Sequence, residues 1–129
     1  MKVLALDYGR ARTGVAVSDP TGTIARPLEV VAGADLARIV ELIEEHCVER
    51  VVVGLPLTLQ GERGTQARET EAFIQKLGVA TAVPIVLFDE RFTTDLAEQD
   101  PGSHNLPPDA RAAAHLLTSY LAWSSRGAE

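Results

Sequence analysis

The alternation of apolar and polar positions changes period along the chain and marks out its elements. Residues 2–7, KVLALD, form a nearly unbroken apolar run that stops at a carboxylate, the pattern of a strand buried on both faces. Strand character resumes after the turn-like YGRARTG, so residues 3–8 and 13–18 are predicted to form a hairpin. A third strand is expected near TIARPLEVV, with Pro27 suggesting an edge position or a bulge. The three together make an antiparallel meander.

The period then becomes helical. Leu36, Ile39, Val40, Ile43 and Cys47 share one stripe, with Arg38, Glu41, Glu44 and Glu45 opposite and Asp35 placed as a cap. Cys47 on that stripe is expected to be a small buried hydrophobe. RVVVGLP follows as a short buried strand that closes a crossover unit. After the polar loop LTLQGERGT, Thr65 is expected to cap a helix carrying Phe73, Ile74 and Leu77 and ending at Gly78. PIVLFDERFTT reads as the fifth strand and its exit, Thr94 as the cap of a brief helix over 95–99, and DPGSHNLPP as loop. A last helix is predicted over 108–123. The order βββαβαβα implies an α/β fold with a mixed sheet and helices on both of its faces.

Composition narrows the class without changing this outline. At 129 residues and 46% apolar content, one domain with a real core is expected. The start lacks the long apolar stretch of a signal peptide, and no segment reaches the roughly 18 apolar residues of a membrane span, so the expectation is a cytoplasmic protein. A single cysteine excludes disulfides within the chain and cysteine-based zinc sites. The net charge of −6 speaks against a generally basic nucleic-acid footprint. Its distribution is uneven, however. Residues 1–26 carry Lys2, Arg10, Arg12 and Arg26 against Asp7 and Asp19, whereas residues 29–49 carry six acids against Arg38. The acidity gathers around the first helix.

Three acidic positions stand where open α/β sheets place their chemistry, at strand ends and helix starts. Asp7 ends the first strand, the pair Asp89 and Glu90 ends the fifth, and Asp109 opens the last helix in line with Ala112, Ala113, Leu116, Leu117, Tyr120 and Trp123. Each has a plain alternative. Asp109 after LPP suits helix capping, Asp7 can pair with Arg10 or Arg12, and the DER acids can pair with Arg91. Strand alternation does not choose between Asp89 and Glu90. Three carboxylates converging on one sheet end would repel each other unless a divalent cation neutralised them, and an all-oxygen set suits Mg²⁺ or Mn²⁺. Two such ions about 4 Å apart are the usual machinery of phosphodiester hydrolysis. The arginines beside Asp7 then become phosphate contacts.

LALDYGRARTGVAVSD, VVVGLPLTLQGERGTQA, DERFTT and DARAAAHLLTSYL, in this order and spacing, resemble the YqgF family, also called RuvX, of RNase H-like proteins. The resemblance implies an RNase H-like fold with strand order 3-2-1-4-5. It implies a nuclease maturing pre-16S rRNA or, by similarity to RuvC, a resolvase of Holliday junctions. The family's acidic positions fall on Asp7, Glu90 and Asp109, as catalytic and metal-binding residues. Gly9, Arg10, Arg12, Arg63 and Arg91 are expected to contact nucleic acid, the partner in either role, and the protein to act as a monomer or homodimer. The loop before the last helix lacks lysine and arginine, and its His104 is read as a solvated residue.

Two further readings differ in class. DYGRARTG also has the look of the phosphate loop of actin-like ATPases, but those close two lobes around a nucleotide and this chain supplies one. A non-catalytic module docking on precursor rRNA is the other.

Overall fold

Val3–Asp7 (β1) is buried on both faces, and that follows from its place at the centre of the sheet. The computed structural model describes residues 1–33, 35–55, 64–89 and 108–124. Arg12–Ser18 (β2) pairs antiparallel with β1, and Ala25–Ala32 (β3) pairs antiparallel with β2 as an edge. Arg50–Leu55 (β4) lies parallel to β1 on its other side, and Ile85–Asp89 (β5) parallel to β4. The order is β3-β2-β1-β4-β5, the mixed five-stranded arrangement that the resemblance implied. Pro27 sits on the edge strand beside a register shift: Val15 faces Glu29 and Ala16 faces Pro27, which leaves Leu28 as the extra residue of a bulge.

Strand alternation sorts the apolar residues into two cores. Leu4, Leu6, Val15, Val17, Val51 and Val53 face the helices Leu36–Glu45 (α1) and Thr65–Ala80 (α2), packing against Ile39, Leu42, Ile43, Phe73 and Leu77. Val3, Ala5, Ala16, Val52 and Phe88 face the helix Pro108–Ser124 (α3), against Ala113, Leu116, Leu117 and Tyr120. Small residues at 5 and 16 let α3 lie close on the sheet. Phe88 meets the rings of Tyr120 and Trp123 edge-on at 5.7 Å each, and the Tyr120 hydroxyl accepts a 2.7 Å hydrogen bond from Arg50 Nη1.

Charged and polar groups fix the connections. The Asp19 carboxylate accepts hydrogen bonds from the amides of Thr23 and Ile24 at 2.8 and 2.9 Å and from the Thr21 hydroxyl, closing the β2–β3 turn. Those three donors, the Ile24 amide first, hold its pKa far below the ordinary carboxylate value. Asp35 caps α1 as expected, accepting from the Arg38 amide. The Arg38 guanidinium grips Glu29 on β3 through two bonds of 2.7 and 2.8 Å and lies beside Glu41 and Glu45. One basic residue thus gathers part of the acidic cluster read in the sequence.

Three local expectations are corrected. Cys47 is exposed rather than buried, because α1 ends at Glu45 and Cys47 adopts φ 52. Its amide bonds to Glu44 O and that of Val48 to Ile43 O, the two bonds of a Schellman motif. The motif swings residue 47 outward and brings Val48, 6% exposed, into the core in its place. On α2, Thr65 is the first helical residue, Gly64 occupies the cap position without a side-chain bond, and the helix runs through Gly78 to Ala80. It stops where Thr81 turns extended and its hydroxyl accepts from the Val83 amide. The expected helix over 95–99, the loop with His104, and most of the 57–65 loop lie outside the described residues.

Candidate active site

Asp7 is the last residue of β1, and its partner across the hairpin is Gly14. Directly opposed residues of an antiparallel pair project to the same face. Odd-numbered β1 residues and even-numbered β2 residues form the α3 core, so Asp7 projects toward α3. A Cβ on Gly14 would lie 1.9 Å from Asp109 O and 2.4 Å from Asp109 C. The first turn of α3 therefore rests on the bare backbone of Gly14, and Asp109 stands on the same face as Asp7, one strand away. The structure brings these two sequence-predicted acids together.

The hairpin turn between them is tight for a similar reason. A side chain on Gly9 would meet Arg12 O at 2.5 Å, and the Gly33 amide bonds to Ala11 O at 2.9 Å, holding the turn against the end of β3. The buried Thr13 hydroxyl donates to Gly33 O at 2.6 Å. The two arginines of the turn reach opposite faces of the sheet. Arg12 Nε lies 3.0 Å from Asp109 Oδ2 on the α3 side. Arg10 reaches α2, where its Nε bonds to the Glu69 oxygens at 2.8 and 2.9 Å and its Nη2 completes a fork. Pairing raises the Arg10 pKa and lowers that of Glu69, through the hydrogen bond first and charge attraction after it.

At the end of β5 the register settles which way Asp89 faces. Val86 and Phe88 belong to the α3 core, so Asp89 takes the α1/α2 side of the sheet, opposite Asp7 and Asp109. Glu90, Arg91 and Arg63 lie outside the described residues. Glu69 was not legible as a partner of Arg10, since 59 residues separate them and only the packing of α2 brings them together.

A metal fits the described part of the site by donor chemistry. Two carboxylates on separate elements share a face, the donors are all oxygen, and Asp109 already holds a cation in the form of the Arg12 guanidinium. Among the described residues no cluster of three potential ligands occurs.

Residues 1–123 match the RuvX family, described as Holliday junction resolvase. The chain belongs to the RuvX family. A relative from Chloroflexus aurantiacus, named "Putative pre-16S rRNA nuclease", is 43% identical over 130 residues, 92% of this chain and 85% of its own length. A relative of the same name from Anaeromyxobacter sp. is 44% identical and covers 94% of this chain and 96% of its own length. Among solved structures, Thermus thermophilus RuvC in complex with a Holliday junction substrate superposes with a TM-score of 0.71 at 19% identity, covering 99% and 97% of the two chains. The fowlpox virus resolvase bound to Holliday junction DNA superposes with a TM-score of 0.57 at 11% identity, over 93% and 98%. These likenesses establish an RNase H-like fold, as the RuvX resemblance implied. RuvX membership places the chain among phosphodiester-hydrolysing enzymes.

Proposed function

We propose that this RuvX protein is a divalent-metal-dependent endonuclease that cuts phosphodiester bonds of structured pre-16S rRNA during maturation of its 5′ end. The observation that carries the proposal is the seating of Asp109 on Gly14, which sets Asp109 beside Asp7 at the end of the central strand. Asp7, Asp109 and Glu90 would hold Mg²⁺ or Mn²⁺. Glu90 is chosen over Asp89 because alternation turns Asp89 to the other face. When bound, such cations activate water for in-line attack and neutralise charge at the leaving oxygen. The chain itself fixes the carboxylates on a rigid strand and a packed helix, so little reorganisation is needed as substrate enters. Gly9, Arg10, Arg12, Arg63 and Arg91 would meet the nucleic-acid backbone, offsetting an overall charge of −6. No helix among the described residues is long and apolar enough to cross a membrane; the cytoplasm is the compartment proposed for this activity.

The description of the matched family favours one alternative, resolution of branched DNA. A junction has two-fold symmetry and needs paired cuts, so that role calls for a homodimer, whereas rRNA processing is open to a monomer. The test is cleavage of precursor rRNA and of four-way DNA junctions with Mg²⁺ or Mn²⁺, using the whole chain and its Asp7→Asn and Asp109→Asn variants. Each substitution is expected to lower the rate at least about 100-fold, beyond the roughly 10- to 100-fold typical of residues that only support a ligand. Full activity in both variants would remove the mechanism, and junction cleavage without rRNA cleavage would select the alternative.

A further inference from the structure

The two arginines of the β1–β2 turn are both engaged, yet their partners differ in kind. Arg10 is held by Glu69, a residue of α2 on the far face of the sheet. Arg12 is held by Asp109, one of the two acids that meet at the end of β1. In this pair the Arg12 side chain is 69% exposed and that of Asp109 35%, so the ion pair is open to solvent and to dissolved cations.

We propose that Arg12 serves as a resident counter-cation of Asp109, holding the carboxylate until a divalent ion displaces it and then turning to a substrate phosphate. The proposal rests on the reading of Asp109 as a metal ligand and adds a competition to it. A divalent ion on Asp109 would place two positive charges beside the guanidinium, so the two cations repel each other and compete for the carboxylate. The pairing offsets the charge of Asp109 on the face it shares with Asp7 while no ion is bound. It also couples the two halves of the reaction, because phosphate-binding charge is freed only where metal has arrived, and by linkage each ligand then favours the other. An exposed pair of this kind is worth about 0.2–1 kcal/mol, which corresponds to a metal affinity lowered about 1.4- to 5-fold by the competition.

The experiment is a titration of the metal-free full chain with Mn²⁺, followed by the loss of the free-ion electron paramagnetic resonance signal. Wild type is compared with Arg12→Gln, Arg12→Lys, Arg10→Gln and Asp109→Asn. Arg12→Gln is expected to bind Mn²⁺ about 1.4- to 5-fold more tightly than wild type, and Arg12→Lys to fall between them. Arg10→Gln removes the same charge from the same turn but from a guanidinium held by Glu69, so its gain is smaller. Asp109→Asn binds at least ten-fold more weakly. Unchanged or weaker binding in Arg12→Gln, beside weakened binding in Asp109→Asn, overturns the counter-cation role and leaves the site intact. Equal gains for Arg12→Gln and Arg10→Gln reduce the effect to bulk charge and also overturn it. Unaltered binding in Asp109→Asn overturns the metal site itself. If the glutamine variant does not fold, the lysine variant carries the same comparison, and an affinity no higher than wild type decides against the proposal.

Discussion

Replacing Gly14 with alanine probes the contact on which the site depends. The added Cβ would stand 1.9 Å from Asp109 O, 2.4 Å from Asp109 C and 3.1 Å from Ala110 N. All three are backbone atoms of the first turn of α3, so no side chain can rotate out of the way. Relief requires the helix to lift from the sheet by more than about 1 Å, since carbon and oxygen settle near 3.4 Å or beyond. Overpacking of this kind costs about 1–3 kcal/mol and sometimes more, and the rigidity of both partners puts Gly14→Ala toward the upper part, about 2–3 kcal/mol. A chain of 129 residues unfolds with an entropy near 0.27 kcal/mol/K, taking about 2.1 cal/mol/K per residue. The expected fall in Tm is therefore about 7–11 °C, measured by circular dichroism on the metal-free protein. Lifting α3 also moves Asp109 away from Asp7, so Mn²⁺ affinity should drop at least about ten-fold in protein that remains folded. A Tm within about 3 °C of wild type together with unchanged Mn²⁺ affinity would refute the claim that Gly14 seats Asp109.

Other consequences follow from the same structure. Cys47→Gly removes a non-glycine residue from φ 52 at the end of α1 and is expected to raise stability by about 0.5–1 kcal/mol, the relieved strain less the added unfolded-state entropy; denaturant titration checks it. Asp19 has a folded pKa below its unfolded value of about 3.9, so its contribution to stability is full above that value and is lost as pH falls toward the folded pKa. Asp19→Asn should accordingly flatten the acid limb of a Tm-against-pH curve below about pH 5, and an acid limb as steep as that of wild type would contradict the role given to the turn.

How much of this was legible in the sequence differs from element to element. β1, β2 and β4 were plain because central strands buried on both faces read as apolar runs, and α1 was plain from its stripe and the Asp35 cap. Cys47 was misread because helical spacing from Ile43 continues to it, while the bonds that end the helix belong to the backbone and leave no mark in the side-chain pattern. The end of α2 was misplaced at Gly78, because glycine inside a helix costs only about 1 kcal/mol and α2 continues through it to Ala80.

The candidate site divides along the same line. Asp7 and Asp109 could be singled out from the chain alone, because a carboxylate ending a buried strand and another in the apolar register of a helix are each costly to place without a purpose. That they share one face was decided by the seating of α3 on Gly14, a contact between residues 95 positions apart that no periodicity encodes. The choice against Asp89 needed the register of β5 against the α3 core, since alternation fixes only that neighbouring residues face opposite ways and not which way is inward. The partners of Arg10 and Arg12 likewise waited on the fold. Local sequence sets charge and backbone preference within a few residues, whereas an ion pair across a sheet depends on which helix the chain has packed there.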